Sequence, residues 1–272
     1  MRVSSNPNLR ETPFLSPKDT YADGGWDAVK HDAEEKADLL LSLGINVNLA
    51  PVCDMTSDEY GFMYDRSFSS DVDMENRYVR TVVETSKSKK LGTVLKHFPG
   101  YGNNSDTHTG IAYDDRDYSE FENTDFKPFY QGIESGADCI LVSHNIVNCM
   151  DSEYPASLSQ KVHDILRNEF KFDGVIMTDD LIMDAITDFT GDEAAAVTAA
   201  KCGNDLLCCS SVNTQYPAVL EAVQNGEIPE AQVDASVKRI LKWKQNLGIF
   251  SIDTYQKKVK STEPTDTVGS EE

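Results

Sequence analysis

The sequence predicts an α/β fold in which short buried strands of a parallel sheet alternate with amphipathic helices. Five times along the chain, a helical stretch is followed by a glycine and then by a short apolar run. A glycine just past a helix end supplies the left-handed conformation that closes the last turn. The runs are too short for helices and do not alternate, so they indicate strands buried on both faces. The glycines and their runs are Gly44 with residues 45–49, Gly92 with 93–98, Gly136 with 138–143, Gly174 with 175–178, and Gly203 with 205–209.

The stretches before the glycines carry apolar residues at helical spacing, as in Val162, Ile165, Leu166 and Phe170. This order of elements fits either a doubly wound sheet or a closed β/α barrel. A final helix is predicted over residues 229–247, whereas residues 1–25 show no periodicity, which favours irregular structure. A barrel takes roughly 250 residues, so residues 1–252 are expected to form one domain, followed by a disordered polar tail at 253–272.

Charge and hydropathy exclude two classes of partner. The formal net charge is -21, whereas nucleic acid and anionic lipid surfaces require clustered Lys and Arg. No apolar run approaches the roughly 20 residues that span a bilayer, and the first residues lack the apolar core of a signal peptide. The expected location is therefore cytoplasmic, without a nucleic-acid or membrane partner. The six cysteines are not spaced as a disulfide framework and are expected to be buried thiols.

Polar residues at the ends of predicted strands are the first candidates for chemistry, because ligands of parallel β/α folds bind at the carboxyl ends of the strands. Such places are occupied by Lys96-His97, Ser143-His144 and Thr178-Asp179-Asp180. A carboxylate pair after a buried strand is costly unless the strand end opens on a polar site. Either aspartate could instead cap a helix over residues 181–186, and one could cap while the other catalyses.

A second group of polar residues lies in the loop after the strand at 93–98. Residues 96–102 read KHFPGYG, and Asp106 and His108 follow. These two are two residues apart, so in an extended segment their side chains point the same way. A carboxylate beside an imidazole fixes its tautomer and stabilises the imidazolium, so the pair can exchange protons near neutral pH. The alternative is that His108 is an exposed loop histidine without a function and that Asp106 is its neighbour by chance.

A metal site is a third possibility. The residues of the types that hold zinc or another divalent ion are His97, His108, His144, Asp106 and Asp179. However, no helical HxxxH pair and no HxH pair is present, so no metal is expected.

Taken together, these segments resemble glycoside hydrolase family 3, in particular its β-N-acetylglucosaminidase branch. Residues 96–102 resemble the KHFPGHG signature of that family, and residues 106–108 resemble the D-[ST]-H element that follows it. Residues 165–169 and 174–179 resemble the family's active-site signature. Further similar blocks, in the family's order, are residues 48–54, 65–68, 142–144 and 203–207.

The resemblance implies a role for each matching residue. Asp179 would be the nucleophile that forms a covalent glycosyl-enzyme, and His108, polarised by Asp106, would be the general acid/base. An imidazole suits this role because its pKa of about 6.5 is close to working pH. Family positions that hold sugar hydroxyls or line the pocket are matched by Arg66, Lys96, His97 and Met183. No metal and no cofactor is implied.

Two features depart from the family pattern. Tyr101 replaces the second histidine of KHFPGHG, with little expected effect on chemistry. Family members carry two further β/α units upstream that end in D-Q-E-G-G-R-V, and Arg2-Val3 is similar to the end of that segment. The resemblance therefore implies a (β/α)8 TIM-type barrel that is incomplete at the N-terminus, with the first two β/α units missing. The chain is then expected to be a fragment or to carry a misassigned start.

The predicted function is retaining, exo-acting hydrolysis of terminal β-linked N-acetylglucosamine from peptidoglycan fragments or chitin-like oligosaccharides, so the expected partner is carbohydrate. Two further possibilities on the same fold are a glucoside or xyloside specificity, and a phosphorylase in which phosphate replaces water. The chain could also be an inactive sugar-binding remnant or a metal-dependent hydrolase. The sequence indicates neither the aglycone nor the oligomeric state.

Overall fold

A parallel β-sheet covered by helices forms the centre of the molecule. The computed structural model describes residues 6–104, 107, 110–190 and 192–255. The strands, in chain order, are β1 (Val47–Asn48), β2 (Gly92–Phe98), β3 (Tyr113–Asp114), β4 (Cys139–Val142), β5 (Ile146–Val147) and β6 (Val175–Thr178). The main sheet has the order β1-β2-β4-β6, with all neighbours parallel, and β3 pairs with β5 in a separate two-stranded sheet. The predicted parallel α/β architecture is confirmed.

Helices fill the connections between the strands. Within the described residues the α-helices are α1 (Pro17–Ser42), α2 (Val72–Ser88), α3 (Tyr118–Asn123), α4 (Phe126–Glu134), α5 (Gln160–Asp164), α6 (Asp184–Thr190), α7 (Asp192–Lys201), α8 (Val212–Gln224) and α9 (Glu230–Asn246). A 3-10 helix (Ala156–Leu158) precedes α5, and a π-helix (Ile165–Glu169) follows it. The N-terminus of α2 shows why these boundaries fall where they do. The carboxylate of Asp71 accepts a hydrogen bond from Met74 N at 2.9 Å, and further acidic residues occupy the first turn, where the helix dipole favours negative charge.

Successive residues of the central strands pack into two different apolar clusters. Leu95, Ile140 and Ile176 contribute to a cluster that also contains Val83 of α2 and Phe129 of α4. Their strand neighbours contribute to a second cluster with α9, which comprises Val94, Cys139, Leu141, Val175, Met177, Trp243 and Leu247. Each fully buried large apolar side chain stabilises the fold by about 1.5–3 kcal/mol relative to exposure. Both faces of the sheet are thus closed by apolar packing, and its carboxyl end is left for polar chemistry.

The prediction of irregular structure for residues 1–25 is wrong at its C-terminal end. Helix α1 begins at Pro17, where Ser16 caps it by accepting a hydrogen bond from Asp19 N at 3.1 Å. The helix is kinked at Gly24 and Gly25, whose backbone is not helical. This interruption breaks the apolar periodicity, which is why the pattern did not indicate the helix.

Two further predicted elements differ from the structure. Residues 205–209 do not form a strand but a single bridge from Leu206 to Met177, because the carboxylate of Asp205 accepts the hydrogen bond of Ile176 N at 2.9 Å. The helix predicted over 181–186 begins only at Asp184.

The sheet is open within the described residues. β1 lies at one end of the strand order, and along its outer side runs a cavity of about 740 Å³. Its apolar lining includes Leu15, Leu40, Ile45 and Val47, and its polar lining includes Arg66 and Lys96. Among the described residues the parallel strands therefore form an open sheet, with this cavity beside its β1 edge.

The cysteines differ in part from the expectation of buried thiols. All six are unpaired. Cys53, Cys139 and Cys202 are buried, but Cys149 is exposed and the remaining two are half-buried. No helix in the described ranges is both long and apolar enough to cross a membrane.

Candidate active site

Asp179 directly follows β6 at the carboxyl end of the sheet. Its backbone N–H donates to Val142 O of the neighbouring strand at 3.1 Å, which fixes the position of the residue relative to β4. Its carboxylate accepts a hydrogen bond from Asp180 N at 2.9 Å, and the residue is half-buried. Asp179 thus presents a partly accessible carboxylate on a rigid support.

The environment of Asp179 keeps its carboxylate ionised. Burial works against ionisation, but the nearby His97 and His144 rings, the Asp180 N–H and Lys96 favour the charged carboxylate and outweigh it, so the pKa of Asp179 is lowered. A carboxylate must be ionised to attack an electrophilic carbon. The electrostatics therefore suit Asp179 to the role of nucleophile at neutral pH.

Asp180 is engaged in structural hydrogen bonds. Its carboxylate accepts from Ser210 N at 3.1 Å and from Ile182 N at 3.3 Å, and it also binds the Ser210 hydroxyl. These contacts join the turn after β6 to the segment before α8. The two adjacent aspartates therefore differ in their surroundings, and Asp180 is occupied in holding the loops together.

His97 is fixed by contacts at both ring nitrogens. Its Nδ1 lies 2.7 Å from Asp54 Oδ2, and its Nε2 lies 3.1 Å from Arg66 Nη2. Since a guanidinium can only donate, Nε2 accepts and the proton resides on Nδ1, where it is donated to Asp54. The tautomer of His97 is thus assigned by its two partners.

Burial and hydrogen bonding set opposite charge states for this pair. Burial lowers the pKa of His97, even though Asp54 opposes the shift, so the ring is neutral near pH 7. Burial would raise the pKa of Asp54, but hydrogen bonds from the His97 ring and from Tyr101 N at 2.8 Å, together with nearby positive charge, hold it below its usual range. Arg66, His97 and Asp54 thus form a chain of hydrogen-bonded polar side chains near Asp179, here called the Arg66–His97–Asp54 cluster.

The structure brings most of the predicted site residues together. Arg66 and Lys96 line the same cavity, His97 contacts Arg66, and His97 and Lys96 both help to lower the pKa of Asp179. Met183 is buried in the turn after β6, with its N–H donating to Asp180 O at 3.1 Å. Asp106 and His108 lie outside the described residues.

Two residues of this region were not among the predicted site residues. Asp54 lies in the loop after β1, two residues past the bridge between Val52 and Lys96, and its place in the family-like block of residues 48–54 was the signal that could have identified it. Tyr101 was expected to have little effect on the chemistry, yet its backbone N–H donates to Asp54, and the charge of Asp179 contributes to the raised pKa of its phenol.

The histidines of the region are committed to protein partners. His144 Nδ1 lies 2.7 Å from Ser157 Oγ, and its Nε2 lies 3.0 Å from Asp180 O. Both ring nitrogens of His97 are also engaged. Among the residues that the structure describes, no group of three or more His, Cys, Asp or Glu side chains is arranged to hold a metal ion.

Comparison with known proteins identifies the family. The family profile described as the glycosyl hydrolase family 3 N terminal domain matches residues 16–243. The chain belongs to glycosyl hydrolase family 3. The family 3 resemblance seen in the sequence is thereby confirmed, and the parallel sheet with its helices is a barrel-type α/β fold of this family.

This family 3 chain is similar to named hydrolases and to a phosphorylase. A β-hexosaminidase of Hydrogenovibrio crunogenus is 36% identical over 199 residues, covering 71% of this chain and 55% of the relative. The structure of a family 3 β-N-acetylglucosaminidase from a Paenibacillus species superposes with a TM-score of 0.82 at 28% identity, covering 87% of this chain and 46% of that one. A β-glucoside phosphorylase, BglX, also superposes with a TM-score of 0.82, at 25% identity over 88% of this chain and 45% of that one. The chain spans about half the length of these proteins.

Proposed function

We propose that this family 3 chain is a retaining β-N-acetylhexosaminidase that releases terminal N-acetylglucosamine from peptidoglycan fragments or chitin-like oligosaccharides. The observation that carries the proposal is the ionised Asp179 at the carboxyl end of β6, beside the Arg66–His97–Asp54 cluster. The relative from Hydrogenovibrio and the Paenibacillus structure support the choice of an N-acetylated amino sugar.

In the proposed first step, Asp179 attacks the anomeric carbon and forms a glycosyl ester. The bond to the leaving oxygen breaks, and that oxygen takes a proton from His108, which Asp106 polarises. In the second step His108 removes a proton from water, and the resulting attack releases the sugar and regenerates the carboxylate of Asp179. Two displacements at the same carbon retain its configuration.

Arg66 and Lys96 are proposed to hold the sugar, with His97 and Asp54 keeping Arg66 in place. Arg66 and Lys96 carry N–H donors at the cavity wall, and such groups bind hydroxyl oxygens. Asp54 keeps His97 in one tautomer, so the ring keeps one orientation relative to Asp179. Preorganised donors of this kind need not reorient during the reaction.

The proposed nucleophile is tested by hydrolysis of p-nitrophenyl N-acetyl-β-glucosaminide. Asp179→Asn keeps the shape of the side chain and removes its charge, so kcat is expected to fall by about 10³-fold or more. Asp188→Asn changes an exposed aspartate on the following helix and is expected to keep wild-type turnover. Undiminished turnover in the Asp179 variant would overturn the proposal, and sugar binding without any wild-type turnover would favour an inactive sugar-binding protein.

A phosphorylase is the second candidate, because the β-glucoside phosphorylase BglX superposes as closely as the hydrolase does. In that reaction phosphate replaces water in the second step and a sugar 1-phosphate is formed. We expect free N-acetylglucosamine as the product with and without added phosphate. A phosphate-dependent rate with sugar 1-phosphate as the product would assign the chain to the phosphorylases instead.

A further inference from the structure

Tyr101 is buried in the loop that follows β2. Its side chain is 3% exposed, and its hydroxyl lies 2.6 Å from Thr107 Oγ1. Thr107 is itself fully buried, so water does not compete for this hydrogen bond. Thr107 is the central residue of the Asp106-Thr107-His108 element, to which the proposed function assigns proton transfer.

The other end of Tyr101 is attached to the Arg66–His97–Asp54 cluster. Its backbone N–H donates to Asp54 Oδ1 at 2.8 Å, and its ring meets the His97 ring edge to face with centroids 5.3 Å apart. Phe62 packs against the Tyr101 ring in a second edge-to-face contact, with ring centroids 5.2 Å apart. The ring of Tyr101 is therefore held on two sides, and the position of its hydroxyl is fixed relative to His97.

The phenol of Tyr101 stays protonated at working pH. Burial raises its pKa, and the negative charges of Asp179 and Asp54 add to the shift. The hydroxyl is therefore available as a hydrogen-bonding group and does not add a negative charge beside Asp179.

We infer that Tyr101 is a positioning residue of the proposed reaction: it holds Thr107, which stands in sequence between the proposed proton-transfer residues Asp106 and His108, against the Arg66–His97–Asp54 cluster. The inference rests on the proposed function. The family signature has a histidine at this position, so the link between phenol and threonine hydroxyl is a feature of this chain.

The inference is tested with a double-mutant cycle on the intact chain. Tyr101→Phe and Thr107→Val each remove one hydroxyl and little volume, and Thr107→Ser keeps the hydroxyl. With an N-acetylglucosamine disaccharide, whose leaving group needs protonation, kcat is expected to fall about 3- to 10-fold in each single variant while KM changes little. The double variant is expected to be no worse than either single one, because both remove the same hydrogen bond. Thr107→Ser is expected to keep wild-type kcat.

A leaving group that needs no protonation separates positioning from a general loss of structure. With a 2,4-dinitrophenyl glycoside the first step does not depend on the acid, so single-turnover release of dinitrophenol is expected to be unaffected in Tyr101→Phe. Tyr118→Phe is the matched control, since it removes a hydroxyl that donates to Glu169 at 2.8 Å on the surface, and it is expected to leave both rates unchanged.

The inference would be overturned by additive losses of kcat in the double-mutant cycle, or by equal losses of rate with both leaving groups. In either case, turnover by the wild-type chain would leave the proposed function standing. A wild-type chain without turnover on either substrate would overturn the proposed function and this inference with it.

Discussion

Asp54, in the loop after β1, and Asp179, directly after β6, both have a lowered pKa, but for different reasons. Asp54 is fully buried, and its charge is balanced by hydrogen bonds from His97 and Tyr101. Asp179 accepts a hydrogen bond from its own neighbour in the chain and owes its lowered pKa mainly to the nearby His97 and His144 rings. A carboxylate that accepts many hydrogen bonds is a poor nucleophile, because its lone pairs are engaged with the donors. This difference favours Asp54 as a scaffold and Asp179 as the reactive group.

Glu75 of α2 is a buried carboxyl group outside this chemistry. It is fully buried, and its Oε2 accepts from Ser69 N at 2.9 Å. Burial raises the pKa of Glu75 well above its usual value, and the charge of Asp54 adds to the shift. Between the unfolded and folded pKa values, the folded chain keeps a proton that the unfolded chain releases. The contribution of Glu75 to stability therefore falls as pH rises.

Glu75→Gln is predicted to gain stability relative to wild type as pH rises. Glutamine cannot ionise but still offers an acceptor to Ser69, so the difference in unfolding free energy should grow by up to about 1.4 kcal/mol per pH unit. Urea unfolding at pH 5, 6.5 and 8 measures it. Glu84→Gln, at an exposed position of the same helix, serves as the control and should show no such trend. A difference for Glu75→Gln that stays constant across the three pH values would contradict the prediction.

At the residue scale, the sequence predicted the side chains that follow a recognisable strand or motif. His97 and Asp179 directly end apolar runs, so their place at the site could be read from the pattern. The hydrogen bond between Tyr101 and Thr107 could not, because periodicity carries no signal for contacts within a loop. Arg66 lies in a long loop whose course the pattern does not define, and only the family resemblance indicated it.

At the scale of elements, one arginine binds both ends of the segment that contains Asp106 and His108. Arg116 donates to Gly100 O at 3.1 Å and to Asp114 of β3 at 2.8 Å. It also donates to Asp125, just before α4, at 2.9 Å. Both carboxylates are only 4% exposed, and Gly100 passes so close to Asp125 that a Cβ there would clash with its carboxylate. The three elements therefore meet at one guanidinium.

Arg116→Met is predicted to destabilise the chain by about 3–5 kcal/mol, because it leaves two buried carboxylates without their partner. Thermal or urea unfolding at pH 7 measures the loss. Arg80→Met, at an exposed position of α2, should change the stability by less than about 0.5 kcal/mol. If Arg116→Met also changed the stability by less than about 0.5 kcal/mol, the two carboxylates would have found other partners and the prediction would be wrong.

Strands and helices were predicted correctly where the local sequence pattern and the tertiary packing favour the same structure. The bounds of β6 match the predicted run of residues 175–178, since this strand is buried on both faces. Residues 205–209 also form an apolar run, yet the side chain of Asp205 replaces a main-chain partner and the run forms only a bridge. Asp205 is held in place by Arg167 and Arg239. Such ion pairs join residues far apart in sequence, and periodicity carries no signal for them.

At the scale of the whole molecule, the parallel sheet is what gathers the candidate site. β2, β4 and β6 point the same way, so residues that are far apart along the chain meet at one edge. Arg66 and Asp54 reach the same edge from the loop after β1. The family fold predicts this convergence, and the electrostatics of Asp179 result from it.

The most direct test of Asp179 as the nucleophile is covalent trapping of the proposed intermediate. A 5-fluoro-N-acetylglucosaminyl fluoride should form the glycosyl ester quickly and hydrolyse slowly, because the added fluorine destabilises the oxocarbenium-like transition state while fluoride leaves readily. After proteolysis, mass spectrometry of the trapped chain is predicted to find the sugar on Asp179, and the Asp179→Asn variant is predicted to remain unlabelled. A sugar attached to Asp180 or Asp54, or equal labelling of the Asn variant, would contradict the assignment of Asp179 as the nucleophile.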